Sequence, residues 1–384
     1  MKRVLFVVTY LDTGGISRAL QNFLNCYDSA AYEVDIFAMV HHGAFKNQFK
    51  SCMLLPKSIL VEDSVAHLDQ QVGVSKMTSA FLKTADKVTK YAVQRFLFRR
   101  AGGKLLRRRH YDAVIGFSEG LPSLFVAMMN HPNKIGWIHC DYASYMKVGT
   151  GQLEEDVYKN LNSVVCVSEH TRSSFVNIYP AMQDKTYAIY NIIDDKMMVE
   201  KSKEDVGVPY DKTLFNIVSI GRIDPVKRLS IVPELARKII DAGCRFRWYI
   251  VGPKSGPSEE YSLLNGNIKK YQVEGVVVLL GEKKNPYPYI KNANLLVNTS
   301  ISEACPYVVN EAKILQTPVI CTDFGSAKEF IDNGKNGYYE PIETMADRIS
   351  WLIQNPEELA KLKNSLGSFT YDNNPILKKI YSLI

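Results

Sequence analysis

Leu214–Gly252 reads LFNIVSIGRIDPVKRLSIVPELARKIIDAGCRFRWYIVG. It opens with an apolar, β-rich run and passes through a Gly-Arg turn. Helical character follows over Ile231–Ala242, and the stretch ends in a second apolar run. Both runs are continuous rather than alternating, as strands buried on both faces of a parallel sheet are. A strand, a crossover helix and a second strand form the unit of an α/β fold.

The same pattern extends in both directions. Downstream come VVVLLGE, ANLLVNTS and TPVICTD, with a helical segment over Glu303–Leu315. Upstream come RVLFVVT, EVDIFAM, YDAVIGFS, KIGWIHC, SVVCVS and TYAIYN. The pattern breaks after Asn191, where residues 192–213 are polar and charged and carry the turn signal Gly207-Val208-Pro209. The reading is therefore a doubly wound parallel sheet made twice, over residues 1–195 and 196–370. The tail from Tyr371 to Ile384 reads as a short amphipathic helix that packs back on the first domain.

Bulk properties agree. A chain of 384 residues with 46% apolar content supports two ordinary cores. The net charge of +7 points to an anionic partner without choosing among nucleotide, nucleic acid and membrane surface. Seven widely spaced cysteines with no CxxC pair indicate neither a disulfide frame nor a zinc site. Their usage fits a reducing compartment, so a cytoplasmic location is expected. The start, MKRVLFVVTYLD, is interrupted by Thr9 and Tyr10 and stopped by Asp12, and reads as a buried first strand rather than a signal peptide.

Ligands of open α/β sheets bind beyond the carboxyl ends of the strands. The unusual residues fall there. Gly14 and Gly15 follow the first strand, His139 ends KIGWIHC, Arg222 follows LFNIVSIG and Glu303 follows ANLLVNTS. If both sheets turn these ends toward a central cleft, the residues converge on one ligand. The Gly-Gly turn suits close approach to a phosphate and equally an ordinary strand–helix turn. Arg222 and Lys227, separated by Asp224-Pro225, suit a diphosphate, and alternatively form a solvated basic loop. In SEACPYVVNEAKIL, Pro306 suits the first turn of a helix whose free N–H groups, including those of Tyr307 and Val308, would receive phosphate. Glu303 would stand ahead of that helix and Glu311 on it, reaching ribose hydroxyls; the alternative is two unrelated surface glutamates. His139 reads as a ligand contact or a satisfied core histidine.

Between Lys83 and Arg109 ten cations face one acid, Asp86, while Val88, Tyr91, Ala92 and Phe96 recur at helical spacing. Such a helix can lie on an anionic bilayer, or present a solvated face. No nucleic-acid motif appears, and aromatics are not interleaved as stacking platforms require. No stretch reaches the ~18–20 apolar residues of a membrane span.

Taken together, the Gly-Gly loop, VVCVSEHTRSSF, YNIID, GRIDPVKRL, YIVGP and the run from Leu280 to Pro341 resemble glycosyltransferase family 4, retaining enzymes of the GT-B fold. The strongest part is SEACPYVVNEAKILQTPVICTDFGSAKEFI, with two glutamates separated by seven residues. The resemblance implies a nucleotide-diphosphate sugar donor, UDP-linked by preference, no further cofactor and no metal. It implies that Arg222 and Lys227 neutralise the leaving diphosphate, Glu311 holds the ribose, and Glu303 positions the sugar. Gly15 would border the diphosphate, Tyr307 and Val308 would donate backbone N–H groups, and His139 would touch sugar or acceptor. It further implies a glycan or lipid-linked acceptor in bacterial surface-polysaccharide synthesis. Ala304 and Cys305 stand where the family usually has Gly-Phe, and Asn285–Tyr289 (NPYPY) is an unusual loop, so donor identity stays open. An epimerase or phosphorylase on the same scaffold, and a non-catalytic peripheral membrane protein with a nucleotide site, are the rival readings.

Overall fold

The computed structural model describes residues 1–11, 14–39, 53–54, 92–148, 155, 157–254 and 259–384. Cys52, Lys83, Asp86, Lys87, Val88, Lys90 and Tyr91 lie outside the described residues. Contacts divide the chain into one unit made of Met1–Ile193 with Asp372–Ile384, and a second made of Asp194–Tyr371.

The first unit contains β1 (Lys2–Val8), α1 (Gly15–Cys26), β2 (Tyr32–Ala38), β3 (Met53–Leu54) and α2 (Ala92–Arg108). It continues through β4 (Ala113–Gly116), α3 (Leu121–Met128), β5 (Lys134–Ile138), α4 (Tyr142–Val148), β6 (Ser163–Cys166), α5 (Glu169–Ile178) and β7 (Thr186–Ala188). The second unit contains α6 (Asp195–Lys201), β8 (Phe215–Ile220), α7 (Val232–Asp241), β9 (Phe246–Val251), α8 (Glu259–Lys270) and β10 (Val277–Gly281). Then follow α9 (Tyr287–Lys291), β11 (Leu295–Asn298), α10 (Tyr307–Ile314), β12 (Val319–Thr322), α11 (Ala327–Phe330), β13 (Gly337–Glu340), α12 (Met345–Gln354) and α13 (Pro356–Leu366). The last helix, α14 (Asn374–Leu383), returns to the first unit.

Each unit is built on a parallel sheet. The orders are β3-β2-β1-β4-β5-β6-β7 and β10-β9-β8-β11-β12-β13. In both, the strand order reverses at the centre, between β1 and β4 and between β8 and β11. The α/β class read from the apolar runs is the one observed. Central strands such as β4 and β11 are buried at every position, because helices cover both faces. Two strands lie beyond the runs read in the sequence, the two-residue β3 and the edge strand β13. In β13 only Gly337 is buried, so it carries no apolar run.

The helices follow from amphipathic spacing. In α7, Val232, Leu235, Ala236 and Ile239 are buried, the i, i+3, i+4, i+7 face of a helix, with Pro233 in its first turn. That face joins Ile217, Trp248 and Leu295 in the second core. In the first unit Phe125 of α3 stacks on Phe37 of β2 at 5.5 Å. The terminal helix α14 is held by Tyr381, which stacks on Tyr32 at 4.4 Å and accepts the Asp28 N–H at 2.8 Å. Asn133 adds a hydrogen bond to the Leu383 carbonyl at 2.8 Å.

In the basic segment the described helix also buries a face that the sequence reading did not name. The face of α2 that enters the core carries Phe98, Ala101 and Leu105, whereas Phe96 is 63% exposed. Arg109 leaves the solvated set: it binds both Asp35 oxygens at 2.9 Å and Glu33 at 2.6 Å.

Helix α3 packs so closely that a Cβ on Gly116 of β4 would sit 2.7 Å from Pro122 O and from Ser123 Cα. Both are backbone atoms with no freedom to give. Gly116→Ala is expected to cost about 1–3 kcal/mol by overpacking, read as a lower midpoint in urea with an unchanged slope. An unaltered midpoint would show that the contact is slack.

Candidate functional site

The site in the second unit starts at the carboxyl ends of β8 and β11. Gly221 and Gly252 bring the ends of β8 and β9 into backbone contact. A Cβ on Gly252 would lie 1.8 Å from Gly221 O, so no side chain fits. The Arg222 loop is then tied to the β9 end by Ile223 N–H to Pro253 O at 3.0 Å. Asp224 turns the chain by accepting the Lys227 N–H at 3.0 Å.

This turn delivers Lys227 to Glu303. Lys227 Nζ donates to Glu303 Oε1 at 2.6 Å, with side-chain exposures of 24% and 12%. The same oxygen accepts Ser300 Oγ–H at 2.7 Å and Asn298 Nδ2–H at 3.2 Å. The two loops are also stitched through backbone: Ile301 N–H donates to Val226 O at 2.8 Å, and Thr299 Oγ1–H to Lys227 O at 2.8 Å. Ser326 Oγ–H reaches Glu303 O at 2.8 Å. Arg222 is half exposed and pairs with Asp224 at 3.0 Å. The two cations are thus each held by a carboxylate, Lys227 by Glu303 and Arg222 by Asp224.

Glu303–Pro306 form a loop, so the helix is shorter than the Glu303–Leu315 read from the sequence. Pro306 takes the N-cap place in extended conformation, one residue ahead of the first turn, and no side chain caps the helix. Four N–H positions at a helix start lack intrahelical acceptors, and Pro306 has no N–H. Val308 and Val309 therefore present theirs. Glu311, the fifth residue of α10, is 3% exposed. Beside it the Asn310 side-chain nitrogen is buried without a partner.

The other candidates belong to the first unit. Gly14 caps α1 in extended backbone, and a Cβ on Gly15 would meet nothing within 4 Å. The extended backbone of Gly14 demands no glycine, and the packing around Gly15 would admit a Cβ. His139 follows β5. Its ring lies 4.8 Å from Phe117, and its Nε2 is buried without a hydrogen-bond partner. Burial pushes the imidazole down to about 3, so the ring is neutral at physiological pH. It is not a satisfied core histidine.

Asn298, Thr299, Ser300 and Ser326 escaped the sequence reading. The signal for the first three was the run NTSIS between a strand and a glutamate; Ser326, in DFGSAKEF, had none. Glu119 also escaped it; its carboxylate accepts the His139 N–H at 2.9 Å.

The family model described as "Glycosyl transferases group 1" matches residues 200–366. An uncharacterized glycosyltransferase of Methanocaldococcus jannaschii is 24% identical over 169 residues, covering 43% of this chain and 41% of that one. A Campylobacter jejuni protein named as a diphospho-undecaprenol 4-alpha-N-acetylgalactosaminyltransferase is 26% identical over 203 residues, covering 50% of this chain and 52% of its own. The chain spans 41% to 64% of the lengths of the first three such relatives. Among solved structures, Anabaena HepE in complex with UDP and glucose aligns over 100% of this chain and 99% of its own, with a TM-score of 0.72 and 18% identity. The fold class is GT-B, with two Rossmann-like sheets.

The depressed His139 pKa has a consequence for stability. The unfolded imidazole takes up a proton near 6.5, which the folded one accepts only near 3. Folding therefore weakens as pH falls through that window, by up to about 1.4 kcal/mol per unit from this group. Between about pH 7.5 and about pH 5 the expected loss is about 2 kcal/mol. Urea unfolding at both pH values should show a smaller loss for His139→Phe; equal losses would reject the assignment.

Proposed function

We propose that the chain is a retaining glycosyltransferase. It moves a sugar from a nucleotide-diphosphate donor, UDP-linked by preference, to a glycan or lipid-linked acceptor. The observation that carries this reading is the gathering of Arg222, Lys227, Glu303 and the uncapped start of α10 at the carboxyl edge of the second sheet. These groups lie within the stretch that matches the glycosyl transferase family. The UDP in the HepE complex supports the choice of base. The diphospho-undecaprenol in the name of the Campylobacter relative supports a lipid-linked acceptor in surface-polysaccharide synthesis.

In this mechanism the donor diphosphate lies against Arg222, Lys227 and the Tyr307 and Val308 N–H groups. Charge develops on the phosphate as the glycosidic bond breaks, and fixed donors stabilise it without reorganisation. Lys227 shares its proton donors between Glu303 and the phosphate. Glu303, held by Asn298 and Ser300, orients the sugar, and Glu311 accepts from the ribose. On the first unit, the family resemblance gives Gly15 a diphosphate contact and His139 a contact to sugar or acceptor, which His139 would make as a neutral ring. The acceptor attacks from the face the phosphate leaves, and the phosphate takes its proton, so configuration is retained. The two side-chain cations supply the countercharge, and no metal or further cofactor enters.

Removing either cation should cost about 2.7–4 kcal/mol of transition-state stabilisation, the magnitude known for lost oxyanion donors. Arg222→Ala and Lys227→Ala are therefore expected to slow transfer by about a hundredfold or more and to abolish the thermal shift given by UDP. Near-normal transfer in both would reject the reading. Activity in EDTA should match activity without it; loss on chelation and recovery with metal would reject metal independence.

No helix among the described residues is long and apolar enough to cross a membrane. A peripheral site on the cytoplasmic face is the finer proposal. Helix α2 supports it, with Phe96 exposed beside exposed Arg99, Arg100 and Lys104. The chain should float with anionic liposomes and not with neutral ones, and Phe96→Asp should weaken the flotation. Equal recovery with both lipids would remove this surface from consideration.

A further inference from the structure

The opposite edge of the second sheet carries a cavity of about 450 Å³. Lys291 ends α9, Gln316 follows α10, and Lys363 and Asn364 stand in the last turn of α13; all four line it. Lys291 precedes β11 and Gln316 precedes β12, so the cavity sits at the amino ends of these strands. Arg222, Lys227 and Glu303 follow the carboxyl ends of β8 and β11, and none of them lines it.

The charge at this cavity has one sign. No carboxylate is among the described residues that line it. Lys363 is partly buried, and its ammonium has no hydrogen-bond or ion-pair partner among the described residues. Burial and the Lys291 charge both push it below the usual lysine range. Lysines in a last helical turn commonly serve helix carbonyls. That role accounts for Lys291, whose Nζ donates to Leu315 O at 3.2 Å. It does not account for Lys363. A desolvated cation beside a second cation is costly unless an anion joins them.

The wall also offers amide donors. Gln316 follows the C-cap of α10 in the left-handed region, with φ 61°. Thr317 N–H to Ala312 O at 2.8 Å and Gln316 N–H to Lys313 O at 3.0 Å close that helix end. Glycine is the usual residue there. Gln316 instead brings a carboxamide to the cavity, and Asn364 brings another.

We propose that this cavity is a second anion site, which takes a phosphate monoester through Lys291 and Lys363 with the Gln316 and Asn364 amides as further donors. Lysines bind phosphate as point charges. The volume is that of small-ligand sites and leaves room for the group that the phosphate esterifies. The site stands apart from the donor reading, because its groups lie at the other edge of the sheet.

Acetylation footprinting of the full chain, resolved peptide by peptide and at constant ionic strength, tests it. Glycerol 3-phosphate is the soluble probe, and vesicles of phosphatidylcholine with phosphatidic acid are the lipid probe. Lys363 acetylation should fall severalfold with at least one of them, while that of exposed Lys335 stays constant. Protection by glycerol 3-phosphate assigns a soluble ester; protection by the vesicles alone assigns a membrane headgroup. A phosphate bound at Arg222 and Lys227 would leave Lys363 unprotected, so the footprint does not depend on the donor site. Lys291→Met should raise the probe concentration needed roughly tenfold, as loss of a hydrogen bond to a charged group does. Gln316→Gly suits the left-handed backbone, so it should keep the melting temperature and still weaken protection. Equal Lys363 acetylation with and without both probes, protection that Lys335 shares, or undiminished protection in either variant would overturn the site.

Discussion

Glu303 Oε1 receives Lys227 Nζ, Ser300 Oγ–H and Asn298 Nδ2–H, and through them it joins the loops that follow β8 and β11. Lys227 and the loop that leads into α10 take their places from that junction. It fixes Lys227, sets the chain that leads into α10, and leaves the helix start uncapped. The pair is neither exposed nor fully buried, so its strength lies between the ~0–1 kcal/mol of surface pairs and the ~3–5 kcal/mol lost when a buried charge is orphaned. That intermediate strength suits a resting contact that a diphosphate, with more negative charge than one carboxylate, can compete for.

The junction exists because β8 and β11 are neighbours in the sheet though far apart in sequence. Parallel strands deliver their following loops to one edge, and only at the reversal point do two such loops part and leave room. Gly221 and Gly252 sharpen the effect by letting the β8 and β9 ends touch. The fold thus contributes geometry, and a few loop residues contribute chemistry.

Much of this was legible in the sequence, for a physical reason. Strands buried on both faces must be apolar throughout, so the central strands announced themselves. β13 sits at an edge and is written GYYE, which has no such requirement. Arg222, Lys227, Glu303 and Glu311 were visible as charges just beyond apolar runs. Their supporting cast was not, because Asn298, Ser300 and Ser326 are ordinary loop residues whose role depends on partners brought by folding. Arg109 looked like one more cation in a basic run, until β2 supplied Asp35 and Glu33. Glu119 in FSEG drew no reading, because its partner His139 lies 20 residues away. For the Gly-Gly turn both readings stay open: Gly14 is extended, and a Cβ on Gly15 would meet nothing within 4 Å.

The two units divide the electrostatic labour. The second gathers fixed positive potential: two cations and a row of helix N–H groups, with Glu303 as the resting counter-ion. The first gathers groups that avoid charge. His139 is held neutral by burial, Glu119 is biased toward its protonated form, and Trp137 offers an indole N–H with no acceptor. An anion placed against the first set would meet a carboxyl and a histidine that resists protonation. A neutral polyol placed against the second would leave its cations uncompensated.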